Sequence, residues 1–147
     1  TSESPFLYHP LVKKLLNIYK KKRLDAIFLD NIIDGCGFEI CTLKSLIKSL
    51  KYSKRDYKEH VTKYIRLNKN KFSVLKIFGP KKFYRRDLRL TVDNSEDLVL
   101  CKKVYQKFER DAPLFNLSKI VNYLDKNPNL KRLVEKYTLH GYKTMYL

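Results

Sequence analysis

Short apolar runs alternate with longer stretches of helical periodicity along this sequence, and this alternation is the feature that most narrows its fold. Apolar and β-branched residues cluster in four short runs between turn formers, which predicts four strands. The predicted strands are residues 25–29, 38–41, 72–78 and 88–92. Apolar residues recur at three- and four-residue intervals elsewhere, which predicts helices at residues 11–22, 43–50, 54–68, 94–108, 117–124 and 130–137. Strands that alternate with helices predict an α/β fold.

The length and the cysteine content limit the classes of protein to consider. A chain of 147 residues is enough for one ordinary domain and not for two. No apolar run approaches the roughly 18 residues of a membrane-spanning helix, and no secretory leader is recognisable, so we expect a protein that neither crosses a membrane nor is secreted. Cys36, Cys41 and Cys101 lack zinc-site spacing, so we expect packing residues in a reducing cytoplasm.

The net charge of +17 is unevenly distributed. Residues 51–89 contain 14 Lys or Arg against three acidic residues, an excess of 11 positive charges that would attract any polyanion. The polyanion could be a nucleic acid, a nucleotide triphosphate or an acidic sugar, and the simplest alternative is a set of solvated lysines. Tyr and Phe interleave with basic residues at 63–72 and 81–86, so one hypothesis is a nucleic-acid-binding module, although no recognised nucleic-acid motif is present.

One acidic residue, Asp93, lies where a predicted strand ends and a predicted helix begins. In open α/β sheets, ligands gather beyond the carboxyl ends of the strands, and a carboxylate there can hold Mg²⁺. The alternative is that Asp93 only caps the turn. Asn94 and Asp97 have the spacing of a capping box, and Glu96 and Asp97 complement the positive end of the helix dipole.

Several motifs, in order along the chain, resemble one enzyme family. RLTVDNSEDL (89–98), with EHVTKYIRLN upstream (59–68), resembles the cytidylyltransferase family of spore-coat polysaccharide synthesis and CMP-acylneuraminate synthetase. TSESPFLYHP (1–10) is similar to the family's T-G-D-C-P-L-I-D-P segment, and DGCGFEI (34–40) to its P-D-G-L-D-V-E-V segment. LDKNPNL (124–130) is similar to the closing N-P turn, so the resemblance covers about residues 1–137.

The resemblance implies a fold and an activity. The implied fold is a Rossmann-like, GT-A-like three-layer α/β sandwich with a mixed sheet. The implied activity is that of a nucleotidyltransferase, in which a sugar hydroxyl or carboxylate attacks the α-phosphate of CTP and pyrophosphate leaves. Mg²⁺ and a homodimer are also implied.

The resemblance also implies roles for individual residues. Asp93 matches a catalytic metal ligand, and Glu3 stands where the family has a second metal-binding Asp. Glu39 matches a substrate-side position, with a solvated strand residue as the alternative. His60 matches a substrate-side or dimer-interface position, with a structural histidine as the alternative. Arg86 and Arg89 flank the predicted strand before Asp93, and a guanidinium can grip a carboxylate or phosphate with two hydrogen bonds, so we predict that both bind substrate. Either arginine could instead be solvated.

One family signature has no counterpart in these residues. It is the L-x-G-R-x-x-S-x-R-x-P-x-K loop, which in the family grips the triphosphate. We therefore expect residues 1–147 to form a single partial domain, the C-terminal half of a nucleotidyltransferase, from a longer protein or a decayed gene. We also expect the isolated chain to be inactive unless another polypeptide supplies the N-terminal half.

Overall fold

A computed structural model describes residues 3–53 and 62–145 of the chain. The strands are β1 (Ala26–Asp30), β2 (Glu39–Cys41) and β3 (Val74–Phe78). The α-helices are α1 (Val12–Lys22), α2 (Leu43–Tyr52), α3 (Lys63–Leu67), α4 (Ser95–Phe108), α5 (Leu117–Asp125) and α6 (Pro128–Met145). Short 3₁₀ turns lie at His9–Leu11, Lys81–Phe83 and Glu109–Asp111.

The described residues form two compact units. The sheet unit contains Pro10–Asp30 and Phe38–Phe78. The helical unit contains the residues before Pro10, the segment Asn31–Gly37, and the chain from Gly79 onward. None of the described helices is both long enough and apolar enough to cross a membrane.

The sheet unit is built on a mixed three-stranded sheet in the order β2-β1-β3. β1 runs antiparallel to β2, with Ala26 opposite Cys41. β1 runs parallel to β3, with Ala26 opposite Val74 and Asp30 opposite Phe78. The predicted α/β class and mixed sheet are therefore confirmed, with strand ends within two residues of the sequence prediction.

The central strand β1 is buried along its whole length, as expected for a strand with a neighbour on each edge. Alternate side chains point to opposite faces of a sheet. Ala26 and Phe28 pack in one cluster with Tyr64, Ile65 and Phe72. The side chain between them, Ile27, packs in a second cluster with Leu15 and Leu24.

The start of α2 is fixed by Thr42, a residue type that commonly caps helices. The Thr42 hydroxyl accepts a hydrogen bond from the amide of Ser45 at 2.8 Å. This bond satisfies one of the amides that the first helical turn leaves without an intrahelical acceptor. The end of the predicted helix 54–68 is α3, with buried Tyr64 and Ile65, whereas residues 54–61 lie outside the described part of the chain.

We expect Thr42→Ala to lower the free energy of unfolding by about 1 kcal/mol, because the Ser45 amide loses its acceptor. Thr62 is the matched control, because it precedes α3 and its side chain makes no capping hydrogen bond. Urea denaturation monitored by circular dichroism measures both variants. Equal losses in the two variants would contradict the capping role of Thr42.

The prediction of a strand at residues 88–92 is wrong. The segment is extended, but within the described residues it forms only one isolated parallel bridge, between Arg89 and Asp34. Its amides are satisfied by separate short segments, because Leu90 donates to the Asp34 carbonyl at 2.8 Å and Val92 donates to the Glu3 carbonyl at 2.8 Å. As far as the two segments are described, neither runs alongside far enough to form a ladder.

Gly35 permits the close approach of this extended segment. Its φ of 84° lies in the left-handed region that favours glycine. A Cβ at this position would lie 2.5 Å from the carbonyl oxygen of Leu90. Glycine at this position therefore allows the turn after Asp34 to lie directly against residues 90 and 91.

The rest of the helical unit is made of α4, α5 and α6, and α6 contacts both of the others. Its buried side chains include Leu100, Val104, Ile120, Leu124 and Val134. The three free cysteines are two buried residues, Cys36 and Cys101, and the half-buried Cys41. Burial raises the pKa of all three thiols, to about 12 for Cys41 and Cys101, which agrees with the predicted packing role.

Candidate functional site

The centre of the candidate site is the side chain of Arg89, which is 5% exposed. Its Nε and Nη2 atoms donate to the two carboxylate oxygens of Asp97 at 2.9 and 3.1 Å. Nη1 donates to Asp34 at 2.7 Å, and Nη2 also donates to Asp93. One guanidinium therefore joins three carboxylates, which we call the Arg89 cluster.

Asp97 fixes the cluster to the first turn of α4. The predicted capping box is present, and an Asp97 oxygen accepts from the amides of Asp93 and Asn94 at 3.1 and 3.0 Å. Burial raises the pKa of Asp97, but hydrogen bonds from Arg89 and Asn94 outweigh burial, so the pKa lies below its usual value. Asp97 is fully buried, and the hydrogen bonds from the helix start and from Arg89 favour its anionic form.

Asp34 is the second buried acid of the cluster and is 3% exposed. Burial raises its pKa above the usual value, and the opposite charge of Arg89 offsets this effect only in part. The negative charges of Asp93 and Asp97 raise it further. Arg89 is therefore the group that most favours the anionic form of Asp34.

Asp93 differs from the other two acids because its side chain is 50% exposed. It follows the extended segment 88–92 and precedes α4, at the boundary that the sequence predicted. One of its oxygens, Oδ2, accepts from Arg89. Asp93 thus presents a carboxylate to solvent while Arg89 holds one of its two oxygens.

Glu3 lies beside the segment that leads to Asp93. Its carbonyl accepts from the amide of Val92 at 2.8 Å and from the hydroxyl of Thr91 at 3.1 Å. The Glu3 residue is exposed. The chain therefore places the Glu3 backbone beside residues 91 and 92, which directly precede Asp93.

Two carboxylates are a donor set that fits Mg²⁺. Among residues 3–53 and 62–145, no group of three or more His, Cys, Asp or Glu side chains is arranged to hold a metal. Mg²⁺ commonly binds one or two protein carboxylates and takes its remaining ligands from waters and substrate phosphates. Glu3 and the exposed oxygen of Asp93 suit this type of site, whereas a closed protein-only cage is not available there.

The two predicted arginines have different surroundings. Arg86 is exposed, donates to the hydroxyl of Tyr84, and its guanidinium carbon lies 5.1 Å from the centre of the Tyr84 ring. The guanidinium of Arg89 bonds three acids of the chain itself. Substrate binding by either arginine stays a prediction, and the observed hydrogen bonds of Arg89 are with Asp34, Asp93 and Asp97.

Glu39 belongs to the sheet unit, where it is part of a second charged cluster. It accepts from Arg66 Nε at 2.9 Å, and Arg66 also donates to both oxygens of buried Asp30 at 3.0 and 3.1 Å. Lys76 is 2.8 Å from Asp30, and the Arg66 guanidinium lies 4.0 Å from the centre of the Phe28 ring. A substrate-side role for Glu39 stays a prediction, and its observed contact is with Arg66.

The predicted substrate-side residue His60 lies outside the described residues. The buried roles of Asp34 and Asp30 were missed, because the sequence presents Asp34 as a turn residue and Asp30 as the end of an apolar run. The signal in the sequence is that Asp30 follows the apolar run 26–29 and Asp34 follows Ile32 and Ile33.

Comparison with curated proteins identifies relatives along nearly the whole chain, although no protein-family model matches it. The chain is 32% identical over 146 residues to the uncharacterized protein MJ1063 of Methanocaldococcus jannaschii, covering 97% of this chain and 58% of that protein. It is 28% identical over 131 residues to the spore coat polysaccharide biosynthesis protein SpsF of Bacillus subtilis, covering 88% of this chain and 54% of SpsF.

A solved structure shares the fold. It is a cytidylyltransferase from Leptospira borgpetersenii serovar Hardjo-bovis, with a TM-score of 0.71 and 22% sequence identity over 88% of this chain and 56% of that one. The chain thus spans little more than half the length of each protein that it matches. The chain is therefore similar in sequence to SpsF and shares the fold of a solved cytidylyltransferase, and both findings agree with the resemblance described from the sequence.

Proposed function

We propose that this chain is part of a sugar cytidylyltransferase, which transfers CMP from CTP to a sugar and releases pyrophosphate. The observation that carries the proposal is the half-exposed carboxylate of Asp93, which Arg89 holds and which follows a segment that is hydrogen-bonded to the Glu3 backbone. The likeness to SpsF and to a solved cytidylyltransferase supports it. A homodimer and a cytoplasmic location stay predictions.

In this proposal Asp93 and Glu3 hold Mg²⁺. The metal would neutralise charge on the phosphate oxygens and orient them, which is most of what phosphoryl-type transfer requires of a protein. The residues of the chain would determine where the metal binds. The cluster holds one oxygen of Asp93, and the solvent-exposed side chain leaves its other oxygen accessible to a cation.

The charge distribution supports a metal between the chain and a triphosphate. A net charge of +17 attracts a polyanion to the protein as a whole. Asp93 and Glu3 are acidic, so bare phosphates would be repelled from them, and phosphates can approach these two side chains closely only with a cation in between. Exposed Arg86 remains our proposed direct contact to substrate in this unit.

The proposed activity is tested by joining the chain to the part of SpsF that it does not match and measuring pyrophosphate release from CTP with sugar acceptors. We expect Asp93→Asn to lower kcat by on the order of 100-fold, because the metal loses a ligand. Glu109→Gln is the matched control, because Glu109 is an exposed acid of the Glu109–Asp111 turn. Full activity of the Asp93 variant would refute the metal assignment.

The nucleic-acid-binding hypothesis remains the second candidate. It is favoured by the exposed pair of Arg86 and Tyr84, a cation and an aromatic ring of the kind that binds single strands. A titration with single-stranded RNA at increasing salt separates the two functions. Tight binding with a steep salt dependence, together with no affinity for CTP, would favour this second function over the first.

A further inference from the structure

The guanidinium of Arg89 is nearly saturated by acids of the chain itself. A guanidinium has five N–H groups, and four hydrogen bonds run from Arg89 to the three acids of its cluster. Its side chain is 5% exposed. Arg89 therefore has little capacity left for a ligand, although an arginine beside a candidate metal site would ordinarily be assigned to substrate binding.

The two buried acids fix the plane of this guanidinium from two directions. Asp97 binds it through both carboxylate oxygens and is itself held by the amides of Asp93 and Asn94. Asp34 binds it from a separate segment, whose carbonyl accepts from the Leu90 amide at 2.8 Å. With these contacts made, Nη2 is the atom that holds the carboxylate of Asp93.

A third constraint comes from α6. Gly141 is buried in this helix, and a Cβ there would lie 2.5 Å from Arg89 Nη1 and closer still to Asp34 Oδ2. Only a hydrogen atom fits at this position unless the ion pair moves. A glycine 48 residues beyond Asp93 in the chain therefore limits where the Arg89–Asp34 pair can lie.

We propose that Arg89 and Gly141 are positioning residues, which hold the Asp93 carboxylate in one orientation for the metal. The inference rests on the proposed function and deepens it, because it assigns Arg89 to the protein's own carboxylate rather than to substrate. A carboxylate that is already oriented loses less freedom when it binds a cation, so its affinity is higher.

Two variants distinguish the positioning of Asp93 from an effect of the positive charge of Arg89 alone. Arg89→Lys keeps the positive charge, but an ammonium lacks the planar fork that bonds several carboxylates at once. Gly141→Ala keeps all three acids and Arg89, and adds one methyl group against the ion pair. The control is Leu139→Ala in the same helix, because the Leu139 side chain is 68% exposed.

The first readout is the χ1 angle of Asp93, measured by three-bond couplings in NMR. We expect one rotamer in the wild-type chain and in the Leu139 variant, and averaging among rotamers in the Arg89 and Gly141 variants. The second readout is the dissociation constant for Mn²⁺, used as a probe for Mg²⁺. We expect it to rise by about 10- to 100-fold in both positioning variants, the effect typical of residues that orient a metal ligand.

The two measurements test different claims: the Asp93 rotamer tests the positioning role, and the Mn²⁺ affinity tests the metal site. A single Asp93 rotamer in the folded Arg89→Lys and Gly141→Ala variants, or averaging already in the wild type, overturns the positioning role. If Asp93→Asn leaves Mn²⁺ affinity unchanged, the proposed metal site is wrong, and the rotamer measurement still decides whether Arg89 positions Asp93. If Arg89→Lys or Gly141→Ala fails to fold, Asp34→Asn is measured in its place. This substitution adds no volume and weakens only one contact of Arg89.

Discussion

Arg89→Leu is expected to lower the free energy of unfolding by about 3–5 kcal/mol, the cost typical of removing one partner of a buried ion pair. Asp97 is fully buried and Asp34 is 3% exposed, and both bond Arg89 directly. Without the guanidinium, these two acids would lie in the protein interior with like charges and without their main hydrogen-bond donor. Leucine also cannot bridge the segment at 88–92 to α4.

Arg86→Leu is the matched control, because Arg86 is exposed and contacts only Tyr84 among the hydrogen bonds and ring contacts of the described residues. We expect its effect to stay within about 0.5 kcal/mol. Chemical denaturation at pH 7 measures both variants. Similar stabilities for the two would show that the Arg89 cluster contributes little to folding.

The defect of Arg89→Leu should also depend on pH. Burial already raises the pKa of Asp34 above its usual value, and Arg89 is the group that opposes this rise. In the variant, the folded chain would bind a proton at a pH where the unfolded chain does not, so stability is gained as pH falls through the raised pKa. The difference in stability between variant and wild type should therefore narrow from pH 7 toward pH 5.

Phe28→Ala is expected to destabilise the sheet unit by about 3–5 kcal/mol, since it removes a large side chain from a closely packed core. Phe28 is completely buried in the central strand β1. It packs in a cluster with Ile65 and Phe72, and its ring lies 4.0 Å below the guanidinium of Arg66. The variant therefore loses both apolar contacts and a cation–π contact.

Phe78 provides the control for this core substitution. It is a phenylalanine in the neighbouring strand β3, and its side chain is 61% exposed. We expect Phe78→Ala to cost less than about 1 kcal/mol, because little of its apolar surface leaves water on folding. Thermal unfolding of both variants, followed by circular dichroism, measures the difference. Equal losses would mean that β1 is not the core of the sheet unit.

The elements that could be predicted from the sequence are those whose signal is local. The central strand β1 contains a continuous apolar run, and α2 and α4 begin at capping residues, Thr42 and Asn94, whose side chains act within three residues. The helix after Pro128 was also predicted, although it extends further than its apolar pattern indicated. In each case the residues that define the element are neighbours in the chain.

The features that could not be predicted depend on pairs that are distant in the chain. The segment 88–92 has a strand-like composition, but its backbone partners at Asp34 and Glu3 belong to short segments that form no ladder. Arg89 and Asp34 are 55 residues apart, so nothing in the local sequence distinguishes this buried pair from two solvated charges. The need for glycine at Gly141 likewise follows only from the position of that pair.

Paramagnetic broadening by Mn²⁺ shows whether Asp93 and Glu3 hold a divalent cation. With small additions of Mn²⁺ to the labelled chain, we expect the amide signals of Glu3 and of residues 92–94 to broaden first. We also expect Asp93→Asn to abolish this broadening. Broadening centred on another acidic surface, such as Glu109–Asp111, or broadening near Asp93 that survives Asp93→Asn, would contradict the claim.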